Sequence, residues 1–220
     1  MTVERITLIR HGRTAWNAAG RWQGLEAVPL DDVGFSQAHA LASYWQQPLT
    51  AIYTSDLLRA WQTAVVLGEA VGLAPQPDER LREFNLGIFQ GLTYDEVREQ
   101  HPQEFSKMRE DYMGYAVPQG ETRRALQNRI YAAFNDIAAA GSGHVAIVSH
   151  GAAIKVLLFR LFGETEALKA MHLDNTALTT VDRIGEGWDL VELAVTPHLG
   201  PGFAEEDVER RQISEQSRPD

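Results

Sequence analysis

Four short segments, far apart in the chain, concentrate guanidinium, imidazole and carboxyl groups. They are Arg10-His11-Gly12-Arg13-Thr14 with Asn17 following, Ser55-Asp56-Leu57-Leu58-Arg59, Leu81-Arg82-Glu83, and Ser149-His150-Gly151. Two guanidiniums (Arg10, Arg59) and two imidazoles (His11, His150) are the set needed to surround one dianionic phosphate, because guanidinium forks match phosphate oxygens in pairs. The same cations would stabilise charge on the equatorial oxygens while a phosphoryl group passes from donor to acceptor. Asn17 adds an amide donor, and Gly12 and Gly151 let backbone and helix N-terminal N–H groups come close. A neutral imidazole is a competent nucleophile toward phosphorus when its other nitrogen donates to a fixed acceptor. Nearby arginines hold it neutral. Glu83 is the acid that could protonate a leaving alkoxide, since adjacent phosphate oxygens favour its protonated form; it would then take a proton from attacking water.

Taken singly, each group has a plainer interpretation. His11 and His150 could be strand-end histidines satisfied by backbone, Arg59 a solvated helix residue, and Arg10 a structural ion-pair partner. Arg13 and Arg82 are expected to be exposed or salt-bridged. Glu79 and Glu121 are rival acids to Glu83. Trp16, Trp22, Phe84, Phe89 and Tyr94 suit a core, although Trp22, Phe84 and Phe89 flank the polar segments and could wall a substrate. His39, His101, His144, His172 and His198 are scattered and carry no assigned chemistry. The spacing alone therefore specifies a phosphate site and nothing narrower.

The elements that must position these groups follow a repeated plan. Thr7–Gly12, Ala51–Asp56 and His144–Gly151 each run from an apolar stretch into polar residues. Such runs suit strands buried on both faces of a parallel sheet. Helix patterns follow over Gly34–Gln47, Leu57–Val71 (with Asp56 as its expected N-cap) and Ala152–Phe162, and a long amphipathic helix over Glu121–Ala140. Strands alternating with helices predict an α/β fold with helices on both faces of a mostly parallel sheet. The polar groups then gather at the strand C-terminal edge, where open α/β sheets bind ligands. Residues from about 75 to 119, with a turn around Gly87 and Gly91, are expected as an insert covering that edge. Thr176–Ile184 and Trp188–Val195 are expected as a hairpin.

The motifs in order resemble the histidine phosphatase superfamily, phosphoglycerate mutase-like branch. L-I-R-H-G-R-T-A-W-N over residues 8–17 is similar to that family's R-H-G signature. The resemblance continues through Gly20–Gly24, Pro29-Leu30, Gly34, Ser55–Ala64, Leu81–Gly91, Gly120-Glu121-Thr122, Val148–Gly151 and Asn175-Thr176-Ala177. It implies a three-layer α/β/α sandwich, a phosphohistidine at His11, phosphate binding by Arg10, Asn17, Arg59 and His150, proton transfer by Glu83, and a loop with Gln23 and Gly24 lining the site. It implies hydrolysis of small phosphorylated metabolites with inorganic phosphate as product, no cofactor and no metal, with phosphoglycerate mutase as the alternative. The chain departs from many relatives in having Phe89-Gln90 where they carry Trp-Glu. Its insert is also short beside cofactor-dependent mutases, which favours release and attack by water. One domain is expected over residues 1–199, with a cap-like insert at 75–119 and a polar tail over 200–220. A homodimer is compatible with the family, the hairpin at 176–195 offering an edge.

Composition bounds the rest. The 220-residue chain is 44% hydrophobic, has no cysteine and has a formal net charge of −10. No disulfide, thiolate nucleophile or cysteine–zinc site can form. The acidic balance speaks against nucleic-acid or anionic-membrane partners, which require a basic field. It does not oppose a small anionic substrate, because screening confines most charge effects to roughly 10 Å. No apolar run reaches membrane-spanning length and no leader pattern opens the chain, so a cytoplasmic location is expected.

Overall fold

In the computed structural model, which describes residues 2–200, the apolar runs become strands β1 (Val3–Arg10), β2 (Ala51–Thr54), β3 (Gln76–Pro77), β4 (Gly143–Ser149), β5 (Leu178–Ile184) and β6 (Gly187–Val195). Between them lie helices α1 (Ala15–Ala18), α2 (Asp32–Tyr44), α3 (Leu58–Val71), α4 (Tyr94–Gln100), α5 (Pro102–Glu110), α6 (Arg123–Ala140), α7 (Gly151–Phe162) and α8 (Glu166–Ala170). Beyond its first residue, the expected tail lies outside the described residues.

One six-stranded sheet runs in the order β3-β2-β4-β1-β5-β6. The first three neighbouring pairs are parallel, and β5 and β6 add an antiparallel hairpin that leaves β6 at one edge. Alternation along the strands sorts side chains between two cores. Ile6, Leu8, Val145 and Ile147 pack with Phe134 of α6 and Leu157 of α7. Ile9, Ile52, Ala146 and Val148 pack with Leu41 of α2 and Ala64 and Leu67 of α3. Both faces of β1 and β4 are thus covered by helices, which is why those strands read as near-continuous apolar runs. The arrangement is the expected three-layer α/β/α sandwich with a mostly parallel sheet.

The span 75–119 divides in two. Gln76–Pro77 joins the main sheet as its β3 edge. Residues from Leu86 onward build a small separate core from Phe89, Val97, Phe105, Met108 and Val117 above the strand ends. Phe89 is wholly buried there and forms no substrate wall, contrary to one of the expectations above.

Helix starts differ from the sequence patterns for identifiable reasons. Asp56 does not cap α3. Leu57 holds that position without a side-chain bond, because the Asp56 carboxylate accepts from Arg82 Nε at 2.7 Å. Asp31 accepts from Gly34 N, so α2 starts before Gly34. Thr122 accepts from Ala125 N, so α6 begins at Arg123 rather than Glu121. Among the described residues, no helix is long and apolar enough to cross a membrane.

Candidate active site

Register brings the two histidines together. β1 and β4 are parallel neighbours with Arg10 paired to Ser149, so the next residue on each strand emerges at the same edge. His11 N continues the ladder to Ser149 O at 3.0 Å. The imidazoles of His11 and His150 lie 5.1 Å apart, centroid to centroid, tilted by 56°.

The loop carrying His11 is held from three sides. Its carbonyl accepts from Asn175 Nδ2 at 3.0 Å and from Thr176 N at 3.2 Å. Gly12 N donates to Thr63 Oγ1 of α3 at 3.0 Å, and Arg13 N donates to Gln37 Oε1 of α2 at 2.9 Å. Gly12 is required for packing: a Cβ there would sit 2.7 Å from Gly34 O. Its expected role of letting a ligand approach is replaced by close contact with the first turn of α2.

His11 Nδ1 lies 2.7 Å from Gly12 O. A carbonyl can only accept, so Nδ1 carries the proton and Nε2 presents its lone pair. Burial pushes the His11 imidazole well below its ordinary pKa, with Arg59 and then Arg10 pushing the same way. His150 is likewise lowered by burial, then by Arg59 and the His11 ring. Both are therefore neutral near pH 7.

A cavity of about 280 Å³ opens beside them, and its lining includes Arg10, His11, Asn17, Gln23, Gly24, Arg59 and Glu83. Arg59 is wholly buried. It donates to Gly24 O and Glu26 O, each at 2.8 Å, so it fastens the 24–26 loop while facing the cavity. Burial lowers its pKa to about 10, still far above neutrality. The Asn17 oxygen accepts from Thr14 N at 3.2 Å, Thr14 Oγ1 at 3.1 Å and Asn175 Nδ2 at 3.4 Å, leaving its amide N–H groups as the donors toward the cavity. Gly24 has φ +52, and Gln90 Oε1 beside it accepts from Leu25 N at 2.7 Å. The Gln90 departure from the family pattern thus holds a site loop.

Glu83 closes the far side. Its Oε1 accepts from Phe84 N at 2.8 Å and Ala153 N at 3.1 Å, and its Oε2 accepts from Ala152 N at 3.2 Å. His150, at the N-cap of α7, makes no side-chain cap bond. Glu83 supplies that cap from across the site. Oε2, with one donor against two at Oε1, is the oxygen with capacity left to exchange a proton. Gly151 opens α7 beside Arg10 and Glu83, and a Cβ there would make ordinary contact with Arg10 Nε at 3.7 Å and Glu83 Oε2 at 4.0 Å. His150 and Gly151 are not themselves walls of the cavity. His150 is fully buried beside His11, and among the described residues neither of its ring nitrogens has a hydrogen-bond partner.

The rival acids lie elsewhere. Glu121 pairs with Arg129 at 2.6 Å, and the Glu79 side chain is 76% exposed. Arg13 pairs with Asp31 and Arg82 with Asp56, as expected. Sequence reasoning missed Arg21, Leu86, Arg123 and Ala152 as cavity residues. Arg21 sits inside the quoted G-R-W-Q-G stretch, but it donates to Glu96 at 2.9 Å. Arg123 follows Thr122 at the start of α6, and nothing in its sequence neighbourhood marks it as facing a pocket.

The fold and this cluster define an α/β protein with a buried cationic and imidazole site, and the comparisons place it. The profile of the histidine phosphatase superfamily (branch 1) matches residues 6–196. The chain belongs to that superfamily. It is 35% identical over 203 residues to a Yersinia pestis protein named "Probable phosphoglycerate mutase GpmB", covering 89% of this chain and 94% of that one. Among solved structures, Bacillus stearothermophilus YhfR superposes with a TM-score of 0.79 at 30% identity, covering 88% of this chain and 98% of that chain. A mycobacterial glucosyl-3-phosphoglycerate phosphatase complexed with VO3 gives a TM-score of 0.76 at 30% identity, covering 87% and 100% respectively. A phosphoserine phosphatase mutant from Entamoeba histolytica, in complex with phosphoserine, gives 0.79 at 25% identity, covering 89% and 99%.

Proposed function

We propose that this protein is a phosphatase that hydrolyses small phosphomonoesters through a phosphohistidine at His11. The observation that carries the proposal is the Nδ1–H to Gly12 O bond, which fixes the tautomer and leaves Nε2 as the nucleophile. Nε2 attacks phosphorus and the ester P–O bond breaks. A proton carried on Glu83 Oε2 passes to the leaving alkoxide. Water then attacks the phosphohistidine, giving a proton back to Glu83, and the P–N bond breaks to release inorganic phosphate. Arg10, Arg59 and the Asn17 amide meet the charge on the transferring group. His150 does not wall the cavity, but its ring nitrogens have no partner among the described residues, and one of their N–H donations is assigned to the same oxygens. Because guanidiniums supply the positive charge, no step calls on a metal, and a chelator is expected to leave the rate unchanged.

The relatives named phosphoglycerate mutase supply the alternative. A mutase returns the phosphoryl group to a second hydroxyl instead of to water. The test is to assay phosphate release and 2-/3-phosphoglycerate interconversion in the same samples. Release of inorganic phosphate from simple monoesters, with interconversion far slower, is the expected result. Interconversion without net phosphate release would replace the phosphatase with the mutase.

A further inference from the structure

The cavity continues past the phosphate groups to a second wall made of Trp22, Phe84, Leu86 and Arg123. Arg123, the first residue of α6, bridges the core and the cap. Its guanidinium lies 4.0 Å from the Tyr112 ring centroid and 4.9 Å from that of Phe84. Nη1 donates to Tyr112 O at 2.9 Å, and Nη2 makes only a long contact to Met108 Sδ at 3.9 Å. Ring stacking and a carbonyl fix where the charge points, yet among the described residues no carboxylate lies within ion-pairing distance. Six other described arginines behave differently: Arg5, Arg13, Arg21, Arg80, Arg82 and Arg129 each hold a carboxylate within 2.9 Å. Burial lowers the Arg123 pKa, while the charge of Glu83 acts in the opposite sense. A partly buried guanidinium with no ion-paired carboxylate among the described residues, fixed in a cavity wall, is stabilised by an anion that enters.

We infer that Arg123 is a specificity-determining residue, pairing with a second anionic group on the substrate, a carboxylate or another phosphate, carried a short carbon framework away from the phosphoryl group at His11. Trp22, Phe84 and Leu86 supply the apolar wall that such a framework would lie against. The inference rests on the phosphatase proposal above and narrows its substrate class to phosphomonoesters bearing a second negative charge.

The test uses esters matched except for that charge. O-phosphoserine is compared with phosphoethanolamine, which lacks only the carboxylate. Fructose 1,6-bisphosphate is compared with fructose 6-phosphate, so the pair that discriminates tells a carboxylate from a phosphate. In at least one pair, the wild-type kcat/KM is expected to favour the doubly anionic ester by on the order of 10-fold or more, mostly through KM. Arg123→Met should collapse that ratio towards one, and Arg123→Lys should restore part of it. If wild type shows no preference in either pair, or Arg123→Met slows both members of the discriminating pair equally, the inference falls while the phosphatase proposal stands. If wild type releases phosphate from none of the four esters or from p-nitrophenyl phosphate, the phosphatase proposal itself falls.

Discussion

At the scale of single residues, catalysis is assigned by what each side chain can still do after its structural bonds are counted. His11 has spent Nδ1 on Gly12 O and keeps Nε2. Asn17 has spent its oxygen and keeps its N–H groups. Glu83 has three amide donors spread unequally over two oxygens and keeps Oε2. Glu83→Gln retains the acceptor oxygen but cannot deliver a proton. It should therefore lower kcat/KM for alkyl phosphates by about 10²- to 10⁴-fold. The loss should be much smaller for p-nitrophenyl phosphate, whose leaving group needs no proton. Steady-state assays of both esters check this, and equal losses would remove Glu83 as the acid. The residue types at 10, 11 and 150 were legible because each stands at the end of an apolar run, and Arg59 because it heads a helix pattern; Asn17 and Glu83 stood out only by their charged neighbours and the family motif. Arg123 was not legible, since its place depends on how Tyr112 and Phe84 stack around it.

At the scale of elements, the site depends on α6 as much as on the strands. Arg129 donates to Arg80 O at 3.0 Å, Arg82 O at 2.6 Å and Glu83 O at 2.6 Å, and it pairs with Glu121. One side chain thus holds the irregular segment that presents Glu83. The sequence showed α6 as an amphipathic helix and gave no sign of this clamp, because the carbonyls it grips belong to a segment without periodic pattern. Arg129→Met removes the donor to three carbonyls and the ion-pair partner of Glu121, which keeps only the Asn85 N bond, in a partly buried setting. It should destabilise the fold by about 3 kcal/mol, measurable by urea denaturation. A change under ~0.5 kcal/mol would show that the segment holds itself. The expected Asp56 cap failed for a related reason: the pattern before α3 identified an N-cap residue, but a guanidinium 26 positions away claims the carboxylate.

At the scale of the whole molecule, the sheet converts two similar sequence signals into one site. Apolar run–His–Gly occurs twice, and the parallel β1–β4 pairing sets both histidines at one edge. That much followed from alternation and strand type; the strand order and the cap core did not, since both are set by long-range packing. The same burial has a consequence for stability. His144 and His198 are lowered by burial to about 4, and His11 and His150 are lowered well below the ordinary value by burial and then by the arginines. A histidine ordinarily titrates near 6.5, so the unfolded chain takes up protons before the native one. Stability should be level above pH 6.5 and fall as pH drops from about 6.5 towards 4. Thermal melts across that range test this, and a Tm unchanged between pH 7 and pH 5 would contradict the burial of neutral imidazoles.

The central claim is that phosphorus becomes bonded to Nε2 of His11 during turnover. Rapid quench of the protein with a labelled monoester, followed by peptide mapping and ³¹P NMR under alkaline conditions, measures it directly. The account predicts an acid-labile phosphate on the peptide containing His11, attached at Nε2 and missing from His11→Ala. Steady turnover with no phosphate on that histidine, or attachment at Nδ1, would contradict it.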